Sequence, residues 1–147
     1  MTSEVELKLV HDVEKHGFSV LWVFDDEGDA PDFAYTVGLT VSISHPEFVV
    51  AGLPHGVSTQ ILTEVAGRVV DGLVVHEGDR LAGVLENFDV LIAGVQQAFI
   101  RDNMRHATEF AGKSSLSALQ ILWPDRAGLF PTEPSFDTRL AGRQVLG

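Results

Sequence analysis

The sequence predicts an α+β fold: a mainly antiparallel sheet of five or six strands covered by about three helices. Three observations point to it. From Phe33 to Leu39 the bulky Phe33, Tyr35, Val37 and Leu39 alternate with the small Ala34, Thr36 and Gly38, the period of a strand. Three longer segments, 4–16, 58–71 and 96–110, carry apolar residues at helical spacing. The remaining apolar runs are short and are set apart by glycine and proline turns.

Taken in order, Ser3 and Glu6 form a capping box for a first helix, with Val5, Leu9 and Val13 on one face and Gly17 as its stop. His11 and His16 fall on different flanks of that helix, which makes them solvent residues rather than paired ligands. Phe18 to Phe24 reads as a strand with apolar residues on both faces. The acidic DDEGDAPD, residues 25–32, is a solvated hairpin loop. A calcium loop beginning at Asp25 would place Ala30 where glycine is needed and Thr36 where a bidentate glutamate is needed.

The strand Phe33–Leu39 has one nearly bare face, open to a helix, another backbone or a ligand, and a packed helix is the simplest occupant. A turn at Ser44–Glu47 leads to a strand at Phe48–Leu53. Ser58 is the expected N-cap of a helix that turns Ile61, Leu62, Val65 and Val69 inward and ends at Gly72. Leu73–His76 reads as a short strand, Gly78-Asp79 and Gly83 as turns, and Phe88–Val95 as another strand. In the helix 96–110, Phe99, Ile100, Met104, Ala107 and Phe110 share a face, while Arg101 and Arg105 sit on a salt-bridged one. A small-residue linker, 112–115, precedes a last strand at Leu116–Trp123. We expect an α+β domain over 1–131 and a loosely ordered or packed tail over 132–147. Its core should hold Val20, Trp22, Tyr35, Val37, Val50, Leu62, Val65, Ile92, Phe99, Leu119 and Ile121.

Composition narrows the function. The chain has 147 residues, 45% of them apolar, and a formal charge of -11 with no basic cluster, so nucleic acid is not an expected partner. Without cysteine there is no disulfide, Cys-ligated zinc or thiol nucleophile, a composition compatible with a reducing compartment. The first residues, MTSEVELKLVHDVEKHG, lack the apolar stretch of a signal peptide, and no run is long enough for a membrane span. We therefore expect a soluble cytoplasmic protein whose partner is another protein or a small molecule. No Gly-x-Ser-x-Gly elbow, Walker loop, dinucleotide fingerprint or His-Glu-x-x-His is present to name a reaction.

The chemistry-bearing residues fall into two sets. Tyr35, Thr36, Gly38, His45 and Glu47 surround the first informative strand, and Gln120, Trp123 and Asp125 close the last one. Together they are a candidate pocket, with Thr36 and Gly38 leaving room beside Gln120 and with His45, Glu47 and Asp125 gathered at a hydrated rim. His55, Ser58 and Thr59, at an expected helix start, are candidate anion-binding residues. His45, Glu47, His55 and His76 can all ligate a metal, but their spacing matches no zinc signature, so no metal and no cofactor are expected.

The run Phe33-Ala34-Tyr35-Thr36-Val37-Gly38-Leu39, then His45-Pro46-Glu47, Gly52-Leu53-Pro54, and Leu119-Gln120 followed by Trp123-Pro124-Asp125, Gly128 and Phe130-Pro131 resembles a bacterial family grouped as domain of unknown function 4262. The resemblance spans nearly the whole chain and implies no established reaction. Thr132 stands where the family pattern leads one to expect tryptophan. Three function classes remain: a regulatory or interaction domain in which these residues lock turns; a small-molecule enzyme or binder using His45, Glu47 and Asp125 as polar groups; and a flavin-binding split barrel.

Overall fold

In the computed structural model, residues 3–23, 32–112, 116–140 and 143–144 are described. Helix α1 (Glu4–His16) starts on the Ser3 hydroxyl, which accepts from the Glu6 N–H at 3.2 Å, and stops at Gly17 with φ 90°. Strand β1 (Ser19–Val23) pairs antiparallel with β2 (Phe33–Val37), which pairs antiparallel with β3 (Glu47–Ala51). The acidic connection expected between β1 and β2 lies, apart from Asp32, outside the described residues, as do Phe24 and residues 113–115 of the expected linker. Helix α3 (His55–Val70) follows β3, after a short α2 (Leu39–Ile43) between β2 and β3. A hairpin, β4 (Arg80–Leu85) and β5 (Phe88–Gly94), leads to α4 (Gln97–Asn103) and α5 (Arg105–Ala111). The last strand, β6 (Ala118–Leu122), inserts between β3 and β5, parallel to the first and antiparallel to the second. The six-stranded order is β1-β2-β3-β6-β5-β4.

Alternation sorts the side chains between two apolar layers. Ala34, Phe48, Val50, Ile92 and Ile121 face α3 and its Ile61, Leu62, Val65 and Val69. Phe33, Tyr35, Val37, Val49 and Ala51 face Phe99, Ile100, Met104 and Ala107 of the α4–α5 region, with Leu9 from α1. With helices on both faces, β2, β3 and β6 are buried at every position, which explains their near-continuous apolar runs. The bare Ala34 side of β2 is a helix-packing face, since Ala34 belongs to the layer beneath α3.

Several expectations need correction. Gly38 is not inside a strand: it has φ 104° at the head of α2, and a Cβ there would press on the Val13 side chain. Ser58 is not an N-cap. Helix α3 begins three residues earlier, after Pro54, and Ser58 is buried within its first turns, where its hydroxyl donates to the Leu53 carbonyl. Leu73–His76 forms no strand, because the Val75 N–H is taken by a side chain, the His45 imidazole, rather than by a neighbouring strand. Gly83, expected in a turn, lies inside β4 at an irregularity between Leu81 and Leu85. The helix expected over 96–110 breaks at Met104, φ -112° and ψ 45°, while its apolar period continues through the break. The flavin split barrel is not the architecture formed: among the described residues the sheet is open, with β1 and β4 at its edges. Arg101 and Arg105 pair with Asp102 and Glu109, at 3.2 and 3.8 Å.

Of the expected core, Val20 and Trp22 are only partly buried, because β1 is an edge strand. Phe48 in β3 is fully buried. Phe48→Ala should therefore cost about 3–5 kcal/mol, and Trp22→Ala distinctly less, measured by urea denaturation; equal losses would contradict this assignment of edge and centre.

Candidate functional site

The short helix α2 starts without a side-chain cap from its own N-cap residue. The Glu47 carboxylate, reaching back from the first residue of β3, supplies the missing acceptor. Its Oε2 accepts from the Thr40 N–H at 2.9 Å, and its Oε1 from the Leu39 N–H at 3.2 Å and the Thr36 hydroxyl at 2.8 Å. The Thr36 oxygen in turn accepts from the Phe48 N–H at 2.9 Å. Glu47 is almost completely buried, and burial pushes its carboxyl above the ordinary value although these bonds, the Thr40 N–H foremost, pull the other way.

His45 stands beside this knot, 7% exposed and stacked on Phe48 with ring centroids 5.4 Å apart. Its Nε2 accepts from the Val75 N–H at 3.1 Å, which places the ring proton on Nδ1, donated to the Pro46 carbonyl at 2.9 Å. Tyr35 faces the α4–α5 layer, where its hydroxyl accepts from the His106 N–H; burial above all pushes that phenol up to about 12.

Past the far end of β6, Trp123 donates its indole N–H to the Ala51 carbonyl at 2.8 Å. Gln144 exchanges two bonds with the Trp123 backbone, both 2.8 Å, and its carbonyl takes the Gln120 amide at 2.6 Å. The Asp125 carboxylate accepts three backbone N–H bonds, from Ala127, Leu129 and Asp137, all 2.9 Å. These donors, Leu129 first, hold its carboxyl below the ordinary value. Because β3 and β6 run parallel with Glu47 opposite Ala118, the His45–Glu47 group and the Trp123–Asp125 group lie at opposite ends of this strand pair. The structure thus forms two polar knots: Thr36, Gly38, His45 and Glu47 in one, Gln120, Trp123 and Asp125 in or beside the other.

A hollow lies elsewhere, at the β1 edge, with a volume of about 610 Å³. One wall is a stripe of α1 residues four apart, Lys8, Asp12 and His16; the other is a stripe of α3 residues four apart, His55, Thr59, Thr63 and Gly67. Phe18 to Val20 form the floor. The Lys8 ammonium donates to Asp12 at 2.9 Å, to the Ser19 hydroxyl at 3.0 Å and to the Val20 carbonyl at 3.3 Å, and Ser19 donates to Asp12 at 2.6 Å. The Ser19 bond first, then Lys8, holds the Asp12 carboxyl low. His55 also lines an adjoining hollow of about 500 Å³ with Trp22, its ring centroid 5.0 Å from the Trp22 ring.

None of the expected pocket residues lines the larger cleft, whereas His55 and Thr59 of the expected anion-binding group do. The Ser58 N–H is given to the Pro54 carbonyl. Among the described residues, no three His, Cys, Asp or Glu side chains gather to hold a metal, and no helix is long and apolar enough to cross a membrane. Sequence reasoning missed the Lys8–Asp12–Ser19 cluster and Gln144. The i, i+4 spacing of Lys8 and Asp12 is common to solvated helix faces and does not single them out, and Gln144 carries no signal.

Fold and sites together define an α+β domain whose sheet is pinned at its ends by buried polar knots and flanked at one edge by a cleft. The chain belongs to the family described as Domain of unknown function (DUF4262), whose family model matches residues 12–137. No curated protein and no solved structure matches it.

Glu47→Gln should destabilise the fold by about 1–3 kcal/mol, since an amide nitrogen cannot accept a hydrogen bond where each carboxyl oxygen now does. The raised carboxyl of Glu47 means that the folded state holds its proton to higher pH than the unfolded chain. Its contribution is fully present below the unfolded value and lost as pH rises through the folded one. The wild type's margin over Glu47→Gln should therefore be widest at acidic pH, below the ordinary carboxyl value, and narrow as pH rises above it. Urea denaturation across that range checks it, and a margin that widens with pH would refute the assignment.

Proposed function

We propose that this chain is a non-catalytic binding module, a regulatory or interaction domain that recognises a small molecule or a protein, works without a cofactor and resides in the cytoplasm. The observation that carries this reading is the commitment of the candidate acid–base groups to the main chain. Both ring nitrogens of His45, both oxygens of Glu47 and both oxygens of Asp125 are engaged in internal hydrogen bonds. A general base needs a lone pair within reach of a substrate proton, and these groups point theirs at backbone amides. The enzyme reading would require the knots to open first, exposing buried donors that the carboxylates now satisfy.

Incubation of the purified protein with metabolite mixtures, read both by thermal shift and by mass spectrometry of the mixture, tests the proposal. Expected is saturable stabilisation by a ligand with no consumption of it. Turnover abolished by His45→Gln or Glu47→Gln in a variant that remains folded would replace the module with an enzyme. Saturable flavin binding would contradict the cofactor-free reading.

A further inference from the structure

We infer that the groove between α1 and α5 docks a basic amphipathic helix of a partner protein, an apolar anchor flanked by lysine or arginine. The inference deepens the reading as an interaction domain and rests on it. The groove is a hollow of about 380 Å³. Leu9, Val10 and Phe110 are its apolar lining; Glu6 stands on the α1 wall, His106 and Glu109 on the α5 wall.

The apolar surface comes chiefly from α1. Leu9 is buried against the body, yet Val10 is 44% exposed, and Leu7, one turn away on the same side, is 59% exposed. Leu7 lies outside the hollow, so the apolar surface runs on beyond it, further than a small molecule would cover. Exposed apolar surface with a polar rim marks a protein contact. A small-molecule site would instead hold its polar groups inside, where they fix orientation, whereas Glu6 and Glu109 are exposed.

Charge selects the partner. Glu6 and Glu14 lie one turn to either side of Val10 on α1, and Glu109 stands across the groove from Glu6. Lys8 is turned to the other flank of α1, where it donates to Asp12 and Ser19. Arg105 is the basic group at hand. It meets Glu109 at 3.8 Å with both side chains more than half exposed, a contact that water screens and a partner's cation can replace. A second copy of the chain would bring carboxylates against carboxylates under a net charge of -11. An apolar strip bordered by carboxylates is complementary to an apolar anchor between basic side chains, the arrangement of a helix laid in a groove.

The test titrates the intact chain into a labelled synthetic helix of leucine and lysine, leucines along one face, read by fluorescence anisotropy. A leucine–glutamate helix of the same pattern and 2-phenylethylamine as competitor are the comparisons. Expected is saturable binding of the lysine helix and at least tenfold weaker binding of the glutamate helix. Val10→Asp should weaken the lysine helix at least tenfold although it makes the chain more acidic, where diffuse attraction to net charge would tighten binding. Glu6→Gln with Glu109→Gln should weaken it severalfold. Glu86→Gln with Asp89→Asn, the same loss of charge at exposed positions outside the groove, should leave it nearly unchanged. Should Val10→Asp fail to fold, the comparison of these two pairs decides. The proposal is overturned if the lysine helix does not saturate, if the glutamate helix binds as well, if folded Val10→Asp binds as tightly as the wild type, or if the two pairs weaken binding alike. Displacement of the helix by micromolar 2-phenylethylamine would give the groove to a small cation, and a wild-type dimer dissociated by Val10→Asp would give it to a second copy; either overturns it. Failure here with no turnover of any metabolite leaves the module reading standing, while turnover removes that reading and leaves a helix bound at the groove in place.

Discussion

The rest of the structure depends on one buried carboxylate. Glu47 begins β3, and its two oxygens hold the start of α2, the Thr36 hydroxyl at the end of β2 and, through Thr36, the Phe48 N–H. A carboxylate taken out of water costs several kcal/mol unless donors replace its hydration, and this one meets three, two of them amides at a helix start. The geometry leaves little freedom. The chain must reverse at Gly38 with a positive φ, wind five residues of α2, and return at Ser44 so that Glu47 faces those amides. Ser44 itself has φ 54°, one of two non-glycine residues with positive φ among the described residues. His45 then ties this corner to Val75, bringing the segment after α3 across the same end of the sheet.

Once β3 is fixed by this corner, the centre of the sheet follows. β3 and β6 form the parallel pair, buried on both faces, and parallel pairing demands that the chain travel away and come back. The hairpin β4–β5, α3, α4 and α5 all lie on that excursion. At the other end of the pair the return is fastened by a second knot, in which Asp125 gathers the Leu129 and Asp137 amides and Trp123 bonds across to Ala51. Gly52 adds a close approach: a Cβ there would collide with the Arg143 carbonyl, so the C-terminal segment crosses directly over the end of β3. Polar groups at both ends thus fix the register of a core that is otherwise apolar and tolerant of sliding.

Much of this was legible. The alternation of Phe33 to Val37 gave a strand, the Ser3–Glu6 pattern gave a real cap, and the stripe Ile61, Leu62, Val65, Val69 gave the buried face of α3. α2 was not legible, because Leu39-Thr40-Val41-Ser42-Ile43 alternates and is rich in β-branched residues, a local strand signal. It is helical because Gly38 turns the chain and Glu47, several residues later, caps it, and neither acts through local propensity. The same non-locality hid the roles of His45, Glu47 and Asp125. Residue types and proline turns marked them as special, but whether a carboxylate faces a ligand or a backbone amide depends on where the chain returns. The cleft escaped for the opposite reason: polar residues four apart, such as Lys8, Asp12 and His16, are what any solvated helix face displays.

The place of the cleft follows from β1 being an edge. An edge strand offers unpaired main-chain groups, and proteins blunt such edges with charged side chains and covering helices. Here α1 covers the edge and Lys8 occupies the Val20 carbonyl, a lysine set against strand addition. With its side chain 53% exposed, Lys8 adds little stability through Asp12, so the contact is better understood as fixing where α1 lies than as holding the fold together. Because α1 is held against β1 from one side and α3 covers the sheet from the other, the two helices leave a gap along the edge instead of closing on each other. Beside that gap the Thr59 hydroxyl is buried without a hydrogen-bond partner, and its cost, about 1–3 kcal/mol for a buried hydroxyl, is a substantial share of the roughly 5–15 kcal/mol that holds a domain together.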